Sequence, residues 1–221
     1  MKAELRATRK ASWAYGGIAR VGDHFAELRS VNERRIFQAM RLAAGIEDLR
    51  PKPLPMVWSD FEGRERRYSA DARAKTTSGD TALLEFKPLG LLRPGSSQLA
   101  IYEDIGRFLR ESCKFRFGLV EWDRASAFSR NLALLTRYTD VEPGRVAADA
   151  FDELDLVIAP LGDVMSRVSK RQLPAFWAGL AHQRLCADLR DRRLSRDTLV
   201  SRPGEAFKPL VLDDFVSTWW A

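Results

Sequence analysis

Arg67-Tyr-Ser-Ala-Asp71-Ala-Arg-Ala-Lys-Thr-Thr-Ser78-Gly79-Asp80-Thr-Ala-Leu-Leu-Glu85-Phe86-Lys87-Pro88 is the stretch whose reading decides the fold. Ser78-Gly79-Asp80 is a turn signal, and β-branched, aromatic and alternating residues flank it, so the segment predicts a β-hairpin. Alternate side chains of a strand share a face. Glu85 and Lys87 therefore project together, while Leu84 and Phe86 point the other way into apolar surroundings. Asp71 sits on the paired strand and can reach the side that Glu85 occupies. Two carboxylates converging beside one ammonium form a site suited to a hard divalent cation with a cationic helper.

The chain around this hairpin is that of an ordinary globular protein. It has 221 residues, of which 45% are hydrophobic and 30% charged, enough for one sizeable core or two small ones. No apolar run is long enough to span a membrane, and the charged N-terminus lacks the apolar stretch of a secretory signal, so no membrane association is expected. Cys113 and Cys186 lie far apart and form no ligand-spaced set. A reduced, cytoplasmic setting is the simplest reading. His24 and His182 are isolated, and no glycine-rich phosphate loop supports nucleotide hydrolysis.

The net charge is +6. Residues 1–142 hold 25 Lys and Arg against 19 Asp and Glu, whereas residues 143–221 hold 11 of each. The whole excess therefore belongs to the part that carries the hairpin. A basic surface around a cation site suits a polyanionic substrate, with solubility as the plainer alternative.

Outward from the hairpin, residues 1–28 read as an irregular N-terminal arm with glycine breakers. Residues 30–44 predict a helix on which Ile36, Phe37, Met40 and Ala44 recur at helical spacing, and Gly45 stops it. Pro51, Pro53 and Pro55 lead an extended segment into a strand at 56–58, and Glu62-Gly63-Arg64 turns the chain toward Asp71. Beyond the hairpin come a helix at 97–111 capped by Ser97, a strand at 115–122 and a short helix at 128–138. Val141-Glu-Pro-Gly144 reads as a joint. It is followed by helical stretches near 147–157, 161–169 and 173–185, and by two short apolar pieces, 194–202 and 207–211, consistent with a wing. The expected fold class is α/β, a mixed sheet flanked by helices, followed by a small, mainly helical winged-helix-like domain. The expected division is an arm at 1–28, a first domain at 29–142 and a second at 143–221.

Glu33 adds a third carboxylate on the buried side of its helix. Ser30-x-x-Glu33 is also a capping box, in which Glu33 would bond the Ser30 backbone N–H, and both roles stand open. Gln98 and Tyr102 share a helical face, where the glutamine could touch a phosphate or a metal-bound water, or simply neighbour a core tyrosine. Arg184, Arg190, Arg192, Arg193 and Arg196 cluster after the last helix, tempered by Asp188 and Asp191, and either hold a DNA backbone or solvate a loop. Trp219 and Trp220 are expected to fold back onto the second domain or to offer an anchor to a partner.

The order Ser30-Val-Asn-Glu33, Pro53, Gly63-Arg64-Glu-Arg-Arg67-Tyr68, Asp71, Gly79, Glu85-Phe-Lys87-Pro88 resembles the PD-(D/E)XK nucleases. More narrowly, it is similar to the TnsA-type endonuclease subunit of heteromeric transposases. The likeness continues in Phe117-Gly-Leu-Val-Glu121, in Arg130-Asn131-Leu-Ala-Leu-Leu-Thr-Arg-Tyr138 and, weakly, in Leu180-Ala-His-Gln-Arg-Leu-Cys-Ala-Asp188-Leu, covering about residues 28–202. Ala70 departs from the pattern, since the family usually has proline before the aspartate.

The resemblance implies a restriction-endonuclease-like fold with a winged-helix-like tail. It implies that Glu33, Asp71 and Glu85, with the Phe86 backbone carbonyl, hold Mg2+, for which Mn2+ can substitute, and that Lys87 assists the attacking water or the phosphate. The implied activity is DNA endonuclease cleavage of the non-transferred strand at transposon ends. The implied partners are double-stranded DNA, a DDE-type transposase subunit and an AAA+ ATPase regulator. A free-standing restriction or repair nuclease, or a non-catalytic DNA-bound adaptor, is the alternative.

Overall fold

The computed structural model describes residues 17–21, 24–28, 30–59 and 63–220. Glu62 and the greater part of the N-terminal arm lie outside the described residues. Part of the arm expected to be irregular is instead an antiparallel pair, β1 (Gly17–Val21) and β2 (His24–Leu28).

The first helix, α1 (Val31–Met40), starts where Ser30 Oγ accepts from the Glu33 N–H at 3.0 Å, the first half of the capping box. Ile36, Phe37 and Met40 form its buried stripe. The strands that follow are β3 (Ile46–Pro51), β4 (Met56–Ser59), β5 (Glu65–Tyr68), β6 (Ala72–Thr76) and β7 (Thr81–Pro88). The hairpin read from the sequence is β6–β7, joined through Thr77 to Asp80, with Gly79 at φ 92°. Next come α2 (Ser97–Phe108), prolonged by a π turn at Leu109–Cys113, and then β8 (Arg116–Trp122) and α3 (Ala127–Leu135).

The central sheet has five strands in the order β12-β8-β7-β6-β3, where β12 is Thr218–Trp220. The β7–β8 pair is parallel and the other pairs are antiparallel. Parallel neighbours need a crossover connection, and α2 supplies it. The sheet is covered on both faces, so β7 is buried at every position from Ala82 to Phe86. On one face Leu84, Phe86 and Val120 join a core with α1 and α3. On the other, Leu83 and Phe117 pack with Tyr102, Ile105 and Leu109 of the α2 region and with Trp58 of β4.

After residue 143 come α4 (Val146–Asp152), β9 (Ala159–Pro160), α5 (Leu161–Ser166), α6 (Leu173–Ala181), β10 (Cys186–Ala187) and β11 (Leu199–Ser201). The three short strands form a small sheet in the order β10-β11-β9. The expected apolar piece at 207–211 forms no strand there; it contributes two isolated bridges, Pro203 with Phe207 and Ala44 with Val211. Phe151, Val164, Phe176 and Leu180 share a core cluster with Ile36, Phe37 and Leu84. The segments on either side of residue 143 are therefore packed on common apolar ground.

Trp219 and Trp220 depart from expectation. They pair with Gly118 and Phe117 of β8 and so close the central sheet, rather than folding back onto the segment after residue 143. The approach is close: a Cβ at Gly106 would stand 2.4 Å from Trp220 Cβ, and one at Gly118 would stand 2.7 Å from the Trp219 ring. Trp220 then stacks on Phe117 at 5.3 Å between centroids, and the Arg116 guanidinium lies 3.7 Å above the Trp219 ring.

Candidate carboxylate and lysine site

Glu85 is a buried charge, 6% exposed, on the sheet face that α2 covers. A carboxylate there requires partners, and it has three. Lys87 Nζ lies 2.5 Å from Oε1, the Tyr102 hydroxyl donates to Oε1 at 3.0 Å, and the Tyr68 hydroxyl donates to Oε2. Gln98 Nε2 in turn donates to the Tyr102 hydroxyl at 2.9 Å. The spacing of Gln98 and Tyr102 on α2 thus builds a relay that ends on Glu85. Three donors use three of the roughly four acceptor positions of a carboxylate, which leaves room for one further electrophile.

Asp71 directly precedes β6. Its backbone N–H donates to Leu84 O at 2.9 Å and its carbonyl accepts from Lys52 N at 2.9 Å, so the main chain is pinned by strands on both sides. Its Oδ2 accepts from the Phe86 N–H at 2.8 Å. The Phe86 side chain itself is buried in the opposite face, as the alternation of β7 requires.

Electrostatics link these groups. Burial, then the charge of Glu85 and also that of Glu33, push the Asp71 carboxyl up to about 6, against the Phe86 hydrogen bond and Lys87. Burial would lower the Lys87 ammonium, but its hydrogen bond and charge interaction with Glu85 hold it above the ordinary lysine value. Burial and the Glu85 charge push the Tyr102 phenol up to about 12 and the Tyr68 phenol beyond the normal tyrosine range. Both tyrosines therefore remain donors, and Lys87 stays charged.

The fold thus brings Asp71, Glu85 and Lys87 together, and the Glu33 charge reaches Asp71. It does not close the carboxylates into a ligand cage: among the described residues, no group of three or more His, Cys, Asp or Glu side chains is placed to hold a metal ion. The donor chemistry still suits a hard divalent cation on the Asp71 and Glu85 pair. Asp71 is raised first by burial and then by neighbouring negative charge that Lys87 does not offset in full, and a cation between hard oxygen ligands would relieve that excess charge.

The other candidates are spread more widely. Gln98 belongs to the site through Tyr102. Arg184, Arg192 and Arg193 are exposed, and Arg190 is engaged structurally, pairing with Asp214 at 2.8 Å and lying over the Phe128 ring. Their loop is pinned by Asn131 of α3, which is 3% exposed. Asn131 Nδ2 donates to Leu189 O and Arg192 O at 2.9 and 2.8 Å, and its Oδ1 accepts from Leu194 N at 2.8 Å. Sequence reading missed the tyrosine contacts to Glu85; the only signal for them was the four-residue spacing of Gln98 and Tyr102.

No protein-family model and no curated protein matches the chain. No helix among the described residues is long and apolar enough to cross a membrane.

Proposed function

We propose that the protein is a metal-dependent DNA endonuclease of the PD-(D/E)XK kind, acting as the TnsA-like subunit of a heteromeric transposase. The observation that carries this reading is the placement of Asp71, Glu85 and Lys87 on one hairpin, with burial and then like charge pressing Asp71 up to about 6 beside a lysine held in its charged form.

Asp71 and Glu85 would hold Mg2+, with Glu33 and the Phe86 carbonyl as further ligands. When bound, the ion supplies Lewis acidity toward a phosphate oxygen and a water acidified toward neutral pH. The protein's own groups do the rest. Tyr68, Tyr102 and Gln98 fix the Glu85 carboxylate in orientation. The Phe86 N–H fixes one oxygen of Asp71, leaving its direction set before substrate arrives. Lys87, charged throughout the working pH range, stabilises negative charge that develops on the phosphate and does not remove a proton. The basic excess of residues 1–142 would draw the polyanion in. The segment α4–α6 with its small sheet serves in this reading as a winged-helix-like module.

A cleavage assay tests it. Purified protein with Mg2+ and supercoiled or end-labelled duplex DNA should produce nicks, alone or with a DDE-type transposase added. Asp71→Ala and Glu85→Ala should remove cleavage while circular dichroism shows the fold retained. Cleavage undiminished in both variants rules the site out. Activity only with the transposase favours the subunit reading over a free-standing nuclease. One observation favours a non-catalytic, DNA-bound adaptor instead: Glu85 is nearly enclosed and already held by three donors. DNA binding with no cleavage in any combination would decide for the adaptor.

A further inference from the structure

Between α1 and α3 lies a cleft of about 480 Å³ whose walls carry Arg34, Arg35, Arg124, Arg130 and Arg137 and no carboxylate. Arg34, Arg35, Arg130 and Arg137 make no ion pair among the described residues, in contrast to Arg41, Arg116, Arg190 and Arg202, each of which holds an aspartate. Arg124 is held in place by Asn32 at the start of α1, through its Nε. Five cationic groups that converge on one concavity repel one another, so the arrangement suits an anion that neutralises several at once.

We infer that this cleft grips the phosphodiester backbone of one strand of a nucleic acid, separately from the carboxylate site. The guanidinium fork matches phosphate oxygens in a bidentate manner, which lysine cannot do. Arg130 and Arg137 are two helical turns apart, about 10 Å along the axis, and Ala133 between them leaves the groove floor open to a close approach. That span and the cleft volume exceed a single phosphate. Ser129, buried at 5%, and Gln38 add neutral hydrogen-bonding groups to the lining. The one large apolar side chain in the lining, Trp122, is buried, so no exposed apolar group is present to enter a lipid surface.

Position supports a continuous track. Arg34 and Arg35 directly follow Glu33 on α1. Trp122 pairs with Pro88, the residue after Lys87. A strand held in the cleft would therefore lead toward the end of the sheet where Asp71 and Lys87 lie. The inference rests on the proposed function for its choice of duplex DNA as the ligand.

The test is fluorescence anisotropy of a labelled DNA duplex with the full chain in EDTA, across a salt series. The variants are Arg130→Ala/Arg137→Ala and, as a control for net charge, Arg167→Ala/Arg171→Ala, two exposed residues far along the chain. The cleft pair should lower affinity about tenfold and reduce the slope of log affinity against log salt by about 1.8, the value for two lost phosphate contacts. The control pair should do neither. Equal binding by the two double variants, no duplex binding by the wild type, or a loss confined to phosphatidylserine vesicles would overturn the inference. Asp71→Ala, measured for duplex binding in EDTA and for cleavage in Mg2+ beside the cleft pair, keeps the questions apart. If it still cleaves while the cleft pair loses DNA, the nuclease site is wrong and the cleft stands. If it is inert while the cleft pair binds normally, the cleft is wrong and the nuclease site stands.

Discussion

Tyr102 donates its hydroxyl to Glu85 Oε1 at 3.0 Å while its ring packs 5.6 Å from that of Trp220. One side chain thereby ties the buried carboxylate to the strand that closes the sheet. Tyr102→Phe keeps the ring and deletes the donor. A hydrogen bond to a charged group contributes roughly 1.5–3 kcal/mol, so the variant should lose about 1.5–3 kcal/mol in urea denaturation and lower cleavage by more than Gln98→Ala. Equal effects of the two would mean that the relay through Gln98, not the direct contact, orients Glu85.

Asp71 gives the protein a pH dependence of definite sign. Its carboxyl is raised from 3.8 to about 6 in the folded state. The folded protein thus favours the protonated form, and the stability this confers is complete below about pH 4 and lost as pH climbs through 6. Asp71→Asn keeps an acceptor for Phe86 and removes the charge. It should be more stable than wild type by about 1–3 kcal/mol above pH 6, with the difference vanishing near pH 4. Thermal melts from pH 4 to 8 measure this, and a constant difference would contradict the assignment.

Cation and proton compete for the same carboxylate. Mg2+ should therefore raise the melting temperature at pH 8 and have little effect at pH 5. Glu85→Ala should abolish the pH 8 rise, and chelation should reverse it in the wild type. A Mg2+ response that survives in Glu85→Ala places the ion elsewhere.

The contact of β12 with the sheet depends on the absence of side chains beneath it. Gly106→Ala would put a methyl 2.4 Å from Trp220 Cβ, on strand backbone that has little freedom to retreat. Overpacking of this kind costs about 1–3 kcal/mol, and the shifted Trp220 should also weaken the hold of Tyr102 on Glu85. Denaturation and cleavage measured together on one preparation test both effects.

Asn131 carries the link between α3 and the loop at 189–194. Asn131→Ala removes three hydrogen bonds and should lower stability by about 2–4 kcal/mol. Proteolysis of the Arg190 to Arg193 loop should become faster in that variant, and unchanged loop cleavage would show that other contacts hold it.

The hairpin was legible because every signal for it is local. A turn tripeptide and a two-residue alternation fixed the shared face of Glu85 and Lys87 and the inward face of Leu84 and Phe86. Helices α1, α2 and α3 were legible for the same reason, through apolar spacing and the serine cap at Ser30, although the cap of α2 is Ser96, whose Oγ accepts from Leu99 N, one residue ahead of the expected Ser97. Strand β3 was hidden: Ile46–Pro51 has an adjacent acidic pair in place of alternation, lies at the sheet edge and runs into prolines. Strand β12 was misplaced because its partner, β8, lies about 100 residues earlier and no local pattern encodes that pairing. The phenol contacts to Glu85 escaped notice for a similar reason, since Tyr68 and Tyr102 come from separate elements on either side of the hairpin strand. The arginine cleft needed α1 and α3 to be neighbours before its residues could be seen as one group.

The late position of β12 bears on how the chain matures. Until Thr218–Trp220 has left the ribosome, β8 presents a bare row of N–H and C=O groups at the margin of a largely assembled sheet. Such a margin recruits strands from other molecules. A polypeptide that stops short of Thr218 is consequently the form most exposed to aggregation, and the Thr218–Trp220 strand acts as the guard of that margin.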